Sequence, residues 1–242
     1  KRVAVVGAGP AGLACATTLA ERGHDVTLFE AADEVGGQFR MAMRVPGKEE
    51  FAETLRYFSR KVRSAGVAVR LGARVGAGEL ADGKYDDVVL ATGVVPRDPR
   101  IPGQEHPKVL SYVDVLLRGA PVGKRVAVVG AGGIGFDVAE FLVHGERTKG
   151  ADGPDLATWM REWGVTDPEV EPGGVTKPRP EPPARKVYLL PRKKTRPGAG
   201  LAKTTGWIHR AALKMKDVEM IAGARYDRVD DRGLTVSFGE KG

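Results

Sequence analysis

Two glycine-rich segments carry the spacing most suggestive of chemistry in this chain: Gly7-Ala8-Gly9-Pro10-Ala11-Gly12 and Gly130-Ala131-Gly132-Gly133-Ile134-Gly135. Each follows a short apolar run, Val3-Ala4-Val5-Val6 or Val126-Ala127-Val128-Val129, that reads as a buried parallel strand. In a strand, turn and helix of this kind the first glycine permits the tight turn. The second lets the backbone approach a pyrophosphate, and the third lets helix and strand pack closely. The helix N-terminus then presents unpaired N–H groups to the anion. A single match is weak, whereas a repeat of the whole unit is strong. Two dinucleotide sites on one chain imply electrons passing between them.

Charge separates the two sites. In the first unit a second apolar strand, Val26-Thr27-Leu28-Phe29, ends on Glu30, where an acid can bind the ribose hydroxyls of an adenosine and repel a 2′-phosphate. In the second unit the corresponding strand, Lys186-Val187-Tyr188-Leu189-Leu190, runs instead into Pro191-Arg192-Lys193-Lys194-Thr195-Arg196. A guanidinium grips a phosphate through paired hydrogen bonds and a lysine adds a point charge, so this cluster suits the 2′-phosphate of NADP(H). The alternative is a solvated basic loop.

These sites need elements to hold them. The 242 residues, 42% of them hydrophobic, suffice for one large core or two modest ones, and the repeated fingerprint favours two lobes. After Gly36-Gly37-Gln38, a helix is expected from about 48 to 64, with Phe51, Leu55, Phe58 and Val62 on its core face. Strands follow at Val67 to Leu71 and Asp87 to Ala91, the latter ending on Thr92-Gly93, where a glycine permits close approach to a ligand. Pro96, Pro99, Pro102 and Pro107 mark a crossover between lobes, so the first lobe is drawn at 1–107 and the second at 108–242. Ser111 and Asp114 form a capping box with Asp in place of the usual Glu. An insertion of about 145–185 interrupts the second lobe, longer than ordinary connections. Within it Leu156, Trp159, Met160 and Trp163 share one helical face, which reads as local core or, alternatively, as a partner-docking helix. A strand at Val218 to Ile221 and a hairpin turning near Asp231-Arg232-Gly233 close the lobe.

Several classes are disfavoured. A formal charge of +7 permits acidic partners, yet aromatics are only 6% and the basic residues scatter outside 185–196, so no nucleic-acid module is read. The lone Cys15 can form neither an internal disulfide nor a thiol pair, which fits a reducing, cytoplasmic compartment. His24, His106, His144 and His209 show no ligand spacing, so no metal site is expected, and no catalytic side chain stands out. The segment 198–205 resembles a phosphate loop, but Ala202 and Pro197 stand where glycines are needed. No apolar stretch reaches membrane-span length, and the apolar run at the amino end reads as a strand feeding a glycine turn. Any chemistry belongs to bound cofactors.

The segments VAVVGAGPAGLA, LFEAADEVGGQF, VPGKEEFAETLRYF, VVLATGVVPR, HPKVLSYVDVL, VAVVGAGGIGFDVAEFL and LAKTTGWIHR, in that order, resemble the carboxy-terminal half of the NADPH-dependent 2,4-dienoyl-CoA reductases. These are bacterial flavoproteins related to trimethylamine dehydrogenase and the old yellow enzyme group. The resemblance implies an α/β fold of two Rossmann-like lobes, glutathione-reductase-like, with FAD in the first and NADPH in the second. It implies that FMN and a four-iron, four-sulfur cluster sit on an amino-terminal barrel of the same polypeptide. Hydride would pass from NADPH to FAD, then single electrons through the cluster to FMN, which reduces the dienoyl chain in fatty acid β-oxidation.

Carried over residue by residue, the resemblance gives FAD to Gly7, Gly9, Pro10, Ala11, Gly12, Glu30, Gly37, Gln38, Val75, Thr92 and Gly93. It gives NADPH to Gly130, Gly132, Gly133, Ile134 and Gly135, with Arg192, Lys193 and Arg196 on the 2′-phosphate. The barrel's own residues are absent here, and the FAD lobe is expected to resume after residue 242. The missing cysteine pair excludes a thioredoxin reductase. A related amine or enoate oxidoreductase half and a non-catalytic adenine-nucleotide module stay open as alternatives.

Overall fold

Strand β1 (Arg2–Val6) leads through the first glycine turn into helix α1 (Pro10–Glu21). This computed structural model describes residues 1–144 and 155–239. It adds β2 (Asp25–Phe29), helix α2 (Phe39–Ala42), α3 (Phe51–Ser64), β3 (Ala68–Arg70), α4 (Ala77–Asp82) and β4 (Asp87–Leu90). The strands form a parallel sheet in the order β3-β2-β1-β4, with Val5 level with both Leu28 and Val89. A parallel sheet buries both faces, which explains why β1 is almost wholly apolar. Val3 and Val5 pack with Leu13 and Ala16 of α1 and with Val62 of α3. The strand order reverses direction between β1 and β4, and in open α/β sheets the crevice outside the carboxyl ends at such a point is where ligands bind.

Helix α3 starts at Phe51, later than the 48 expected. Residues 48–50 are instead turned through bonds from Phe51, Ala52 and Glu53 N–H to the carbonyls three residues back. Leu55 and Val62 are buried, while Phe51 and Phe58 are half-buried.

The chain divides after Pro96, earlier than the boundary at 107 read from the prolines: the first unit comprises 1–44 and 48–96, the second 45–47 and 97–242. The proline-rich stretch lies with the second unit because Pro102 accepts the Val229 N–H at 2.8 Å. The second unit then contains α5 (Tyr112–Leu116), β5 (Arg125–Val129), α6 (Gly133–His144), α7 (Leu156–Trp163), β6 (Lys186–Leu190), α8 (Gly206–Met215) and β7 (Glu219–Met220). A hairpin of β8 (Ala224–Asp230) and β9 (Gly233–Phe238) follows. Strands β5, β6 and β7 make a parallel sheet in that order. Phe136, Ala139, Leu142 and Val143 of α6 and Leu213 of α8 are buried. Ser111 and Asp114 make the expected reciprocal capping box at the start of α5.

Residues 145–154 of the insertion lie outside the described residues, as do 240–242 and any return of the first lobe beyond them. The remainder is fastened to the unit. Lys216 Nζ donates to Glu162 Oε1 at 2.7 Å and to Glu181 O at 3.1 Å, and Ala184 N–H donates to Val143 O at 2.8 Å. The expected apolar face of α7 is only partly covered, since Leu156 and Trp159 are exposed. Met160 and Trp163 on that face are half-buried, and the Glu162–Lys216 ion pair adds a polar tie to the end of α8.

Candidate functional site

The two glycine turns are built alike. Gly7 and Gly130 adopt φ of +103° and +106°, which side-chain-bearing residues rarely tolerate. Gly7 N–H donates to Phe29 O at 2.7 Å and Gly130 N–H to Leu190 O at 3.1 Å, so each turn is sewn to the last residue of the neighbouring strand. A Cβ on Gly12 would run into Gly7 O, and one on Gly135 would lie 2.5 Å from Gly130 O. The third glycine in each fingerprint is thus required by helix–strand packing.

The middle glycines are different. A Cβ on Gly9 would meet only Gly37 Cα, at 3.9 Å, and one on Gly132 or Gly133 would meet nothing within 4 Å. Protein packing does not demand glycine there, whereas a ligand backed against the main chain would. Helix α1 begins on Pro10 with no side-chain cap from Gly9, so first-turn N–H groups stay available to an anion. These cradles fit a pyrophosphate. Ala11 is exposed beside Pro10 in that first turn, and Ile134 is exposed in the first turn of α6.

Around the first turn the structure gathers most of the residues singled out in the sequence. Glu30 Oε2 accepts the Ala8 N–H at 2.7 Å and Oε1 accepts the Ala32 N–H at 2.9 Å. Each carboxylate oxygen retains a lone pair for a ribose hydroxyl. Gly36 N–H donates to Ala8 O at 2.7 Å, which lays Gly37 beside Gly9. Gln38 Nε2 donates to Val94 O at 3.3 Å, just past Thr92-Gly93. Ala91 N–H donates to Val6 O at 2.8 Å, which brings the end of β4 against Gly7. Val75 follows Ala73, whose N–H donates to Glu30 O at 2.8 Å.

In the second unit, Val129 pairs with Leu190 as Val6 pairs with Phe29. Pro191 therefore occupies the place that Glu30 holds in the first unit, with Arg192 and Lys193 directly after it. Both are exposed. Arg196 belongs to the next turn, where Ala199 N–H donates to Arg196 O at 3.0 Å and a Cβ on Gly198 would lie 2.7 Å from Phe136 Cζ. Three participants are not singled out by the sequence. The amides of Ala8 and Ala32 hold Glu30, and the Tyr226 hydroxyl donates to Leu190 O. The glycine motif itself could have pointed to Ala8, but no sequence signal points to Tyr226. Among the described residues no group of His, Cys, Asp and Glu could hold a metal ion. Among them, too, no helix is long and apolar enough to cross a membrane.

Two Rossmann-like units, each with a cradle for a dinucleotide, define an NAD(P)-dependent flavoprotein oxidoreductase domain. The chain belongs to the pyridine nucleotide-disulphide oxidoreductase family, whose model matches residues 1–242. Membership implies FAD and NAD(P) as the two dinucleotides, and Cys15, the single cysteine, leaves this chain no thiol pair for disulphide chemistry. The chain is similar to a metal reductase of Desulforamulus reducens, 35% identical over 145 residues, or 58% of this chain and 22% of that protein. It also resembles a multifunctional alkene reductase/demethylase of Caballeronia cordobensis, 32% identical over 175 residues, 66% of this chain and 26% of the relative. The chain thus spans about a quarter or less of these curated relatives. A 2-naphthoyl-CoA reductase structure superposes with a TM-score of 0.76 at 24% identity, covering 98% of this chain and 30% of that one, which shows the shared fold.

Proposed function

We propose that this chain is the electron-input module of an NADPH-dependent flavoprotein reductase, with FAD on the first unit and NADPH on the second. Opposite charge at two equivalent strand ends carries this reading: Glu30 beside the first turn, Arg192-Lys193 beside the second. Glu30 would receive the adenosine ribose of FAD, with Gly9, Pro10, Ala11 and Gly12 at the pyrophosphate and Gly37, Gln38, Val75, Thr92 and Gly93 along the remainder. Gly132 and Gly133 would admit the pyrophosphate of NADPH, with Arg192, Lys193 and Arg196 at its 2′-phosphate. The bound flavin supplies the ability to take a hydride and pass on single electrons. Those electrons would leave for an iron–sulfur cluster and FMN on an amino-terminal barrel of the same polypeptide and there reduce a 2,4-dienoyl-CoA.

A broader second reading, the same module serving an alkene, enoate or amine substrate, is favoured by the likeness to the alkene reductase/demethylase and to an N,N-dimethylglycine/sarcosine dehydrogenase of Chromohalobacter salexigens, 39% identical over 134 residues. A silent adenine-nucleotide module is disfavoured by the basic strand end. Titration of NADPH and NADH against the chain and its Arg192→Ala variant tests nucleotide choice. Charge-assisted hydrogen bonds contribute about 1.5–3 kcal/mol, so NADPH affinity should fall about tenfold or more while NADH affinity holds. Equal losses for both nucleotides would remove the 2′-phosphate assignment.

A further inference from the structure

The carboxyl end of β6 is held by more than its own sheet. Leu190 O accepts two hydrogen bonds, one from Gly130 N–H at 3.1 Å and one from the Tyr226 hydroxyl. Pro191 O accepts the Ala224 N–H at 3.1 Å, and Lys193 O accepts the Gly223 N–H at 3.1 Å. Arg192 therefore sits between two residues whose carbonyls are pinned to the start of the β8–β9 hairpin. Tyr226 pairs with Val236 across that hairpin, and the register shifts between Tyr226 and Arg228. A register shift of this kind bends the ladder locally, as a β-bulge does, and changes where the strand's side chains are aimed. Tyr226 is partly buried, and burial raises its phenol pKa against the opposing pull of the Arg192 charge. The hydroxyl thus keeps its proton at neutral pH and stays a donor.

We propose that Tyr226 is a positioning residue for nucleotide selectivity: its hydroxyl ties the β8–β9 hairpin to Leu190 O, the carbonyl that also holds the glycine turn, and so fixes the strand end that leads into Arg192 at a set spacing from the pyrophosphate seat. This rests on the assignment of Arg192 and Lys193 to the 2′-phosphate. The physical argument concerns two anions on one ligand. NADPH gains from the basic residues only if they already stand at the distance its own covalent frame fixes between its phosphates, because any search by the loop costs ordering entropy. NADH has no second anion to reach and uses the glycine turn alone. Without the hydroxyl, Gly130 keeps its bond to Leu190 O and the seat stays whole, whereas the strand end leading into Arg192 loses one of its three fastenings to the hairpin and keeps only the Ala224 and Gly223 bonds, so the grip on the 2′-phosphate loosens.

The test is isothermal titration of NADPH and NADH against the chain, Tyr226→Phe, Arg192→Ala and the double variant. Tyr226→Phe keeps the ring and removes only the hydroxyl. It should weaken NADPH about fivefold, equivalent to about 1 kcal/mol, and leave NADH within about twofold. In the Arg192→Ala background it should change the NADPH to NADH ratio no further, whereas a merely structural role would weaken both nucleotides alike in both backgrounds. Amide hydrogen exchange on the unmutated chain supplies a measurement that needs no variant to fold. NADPH should slow exchange at Gly223 and Ala224, and NADH should not. An unchanged ratio in Tyr226→Phe, additive losses in the double variant, or equal protection by the two nucleotides would each overturn the proposal. If Arg192→Ala shifts the ratio and Tyr226→Phe does not, the role of Tyr226 alone fails. If Arg192→Ala leaves the ratio unchanged, the 2′-phosphate assignment fails and takes the Tyr226 proposal with it.

Discussion

Replacing Gly9 by Ala is expected to separate folding from binding. Gly9 lies at φ −73° and ψ −179°, an extended conformation open to any L residue, and a Cβ there would meet only Gly37 Cα, at 3.9 Å. The chain without nucleotide loses no contact, and the lower freedom of Ala in the unfolded state adds roughly 0.4–1 kcal/mol of stability. The new methyl stands instead in the space proposed for the FAD pyrophosphate. Overpacking a close-fitting site typically costs about 1–3 kcal/mol, a loss of about fivefold to a hundredfold in affinity. Gly12→Ala is the opposite experiment. Its Cβ would collide with Gly7 O and lie 3.0 Å from Gly7 C, and backbone in a strained turn cannot give way as a side chain can. The assay is thermal unfolding of both variants without nucleotide, followed by FAD titration read by flavin fluorescence. Gly9→Ala should melt at or above the parent temperature and bind FAD poorly, whereas Gly12→Ala should melt well below it. Parental FAD affinity in Gly9→Ala, or a melting loss as large as that of Gly12→Ala, would refute the reasoning.

Two further predictions concern stability. Burial raises the Glu162 carboxyl, but the Lys216 hydrogen bond, the Glu181 N–H and the Lys216 charge outweigh it and hold Glu162 below the ordinary carboxylate range. A carboxyl lowered on folding contributes stability that is present above about pH 4.3 and is lost as pH falls through the folded value. Urea melts across that range should therefore show acid destabilisation that Glu162→Gln lacks, while at neutral pH the variant should be weaker by about 3 kcal/mol because the buried Lys216 charge loses its counter-ion and keeps the Glu181 carbonyl as a neutral acceptor. Ser111→Ala removes the acceptor of the Asp114 N–H bond at 3.1 Å and should cost about 1 kcal/mol in the same melts; a parental midpoint would show the cap to be idle.

What was legible in the sequence was what depends on near neighbours. The glycine turns, β6 at Lys186–Leu190, the Ser111–Asp114 box and the hairpin turn at 231–232 all follow from residues a few positions apart. Helix α3 began late because Lys48, Glu49 and Glu50 can turn without joining the helix, a difference that periodicity does not register. What escaped is held by partners distant in the chain. Lys216 reads as a surface residue at the end of α8 until Glu162, 54 positions away, is placed beside it. Tyr226 reads as an ordinary strand aromatic until its hydroxyl meets Leu190 O, 36 positions away. The engagement of Glu30 with the Ala8 and Ala32 amides lies between these cases, because an acid at that strand end is expected but its orientation is not.

The repeated register gives the difference between the two units its meaning. Because Val6 lies level with Phe29 and Val129 with Leu190, and because each turn's first glycine donates to that strand's last carbonyl, the next residue along stands in the same place in both units. That residue is Glu30 in one and Pro191 in the other. Glu30 occupies two loop amides with its carboxylate, while a proline offers no side-chain acceptor and passes the chain on to Arg192. In the proposed assignment, a single strand-end position would thus change from an anionic receptor for hydroxyls to the approach of a cationic receptor for phosphate, on otherwise matching scaffolds. Selectivity between two similar dinucleotides then needs no difference in the cradles themselves, which is why the proposed discrimination should move with Arg192 and leave the glycine turns untouched.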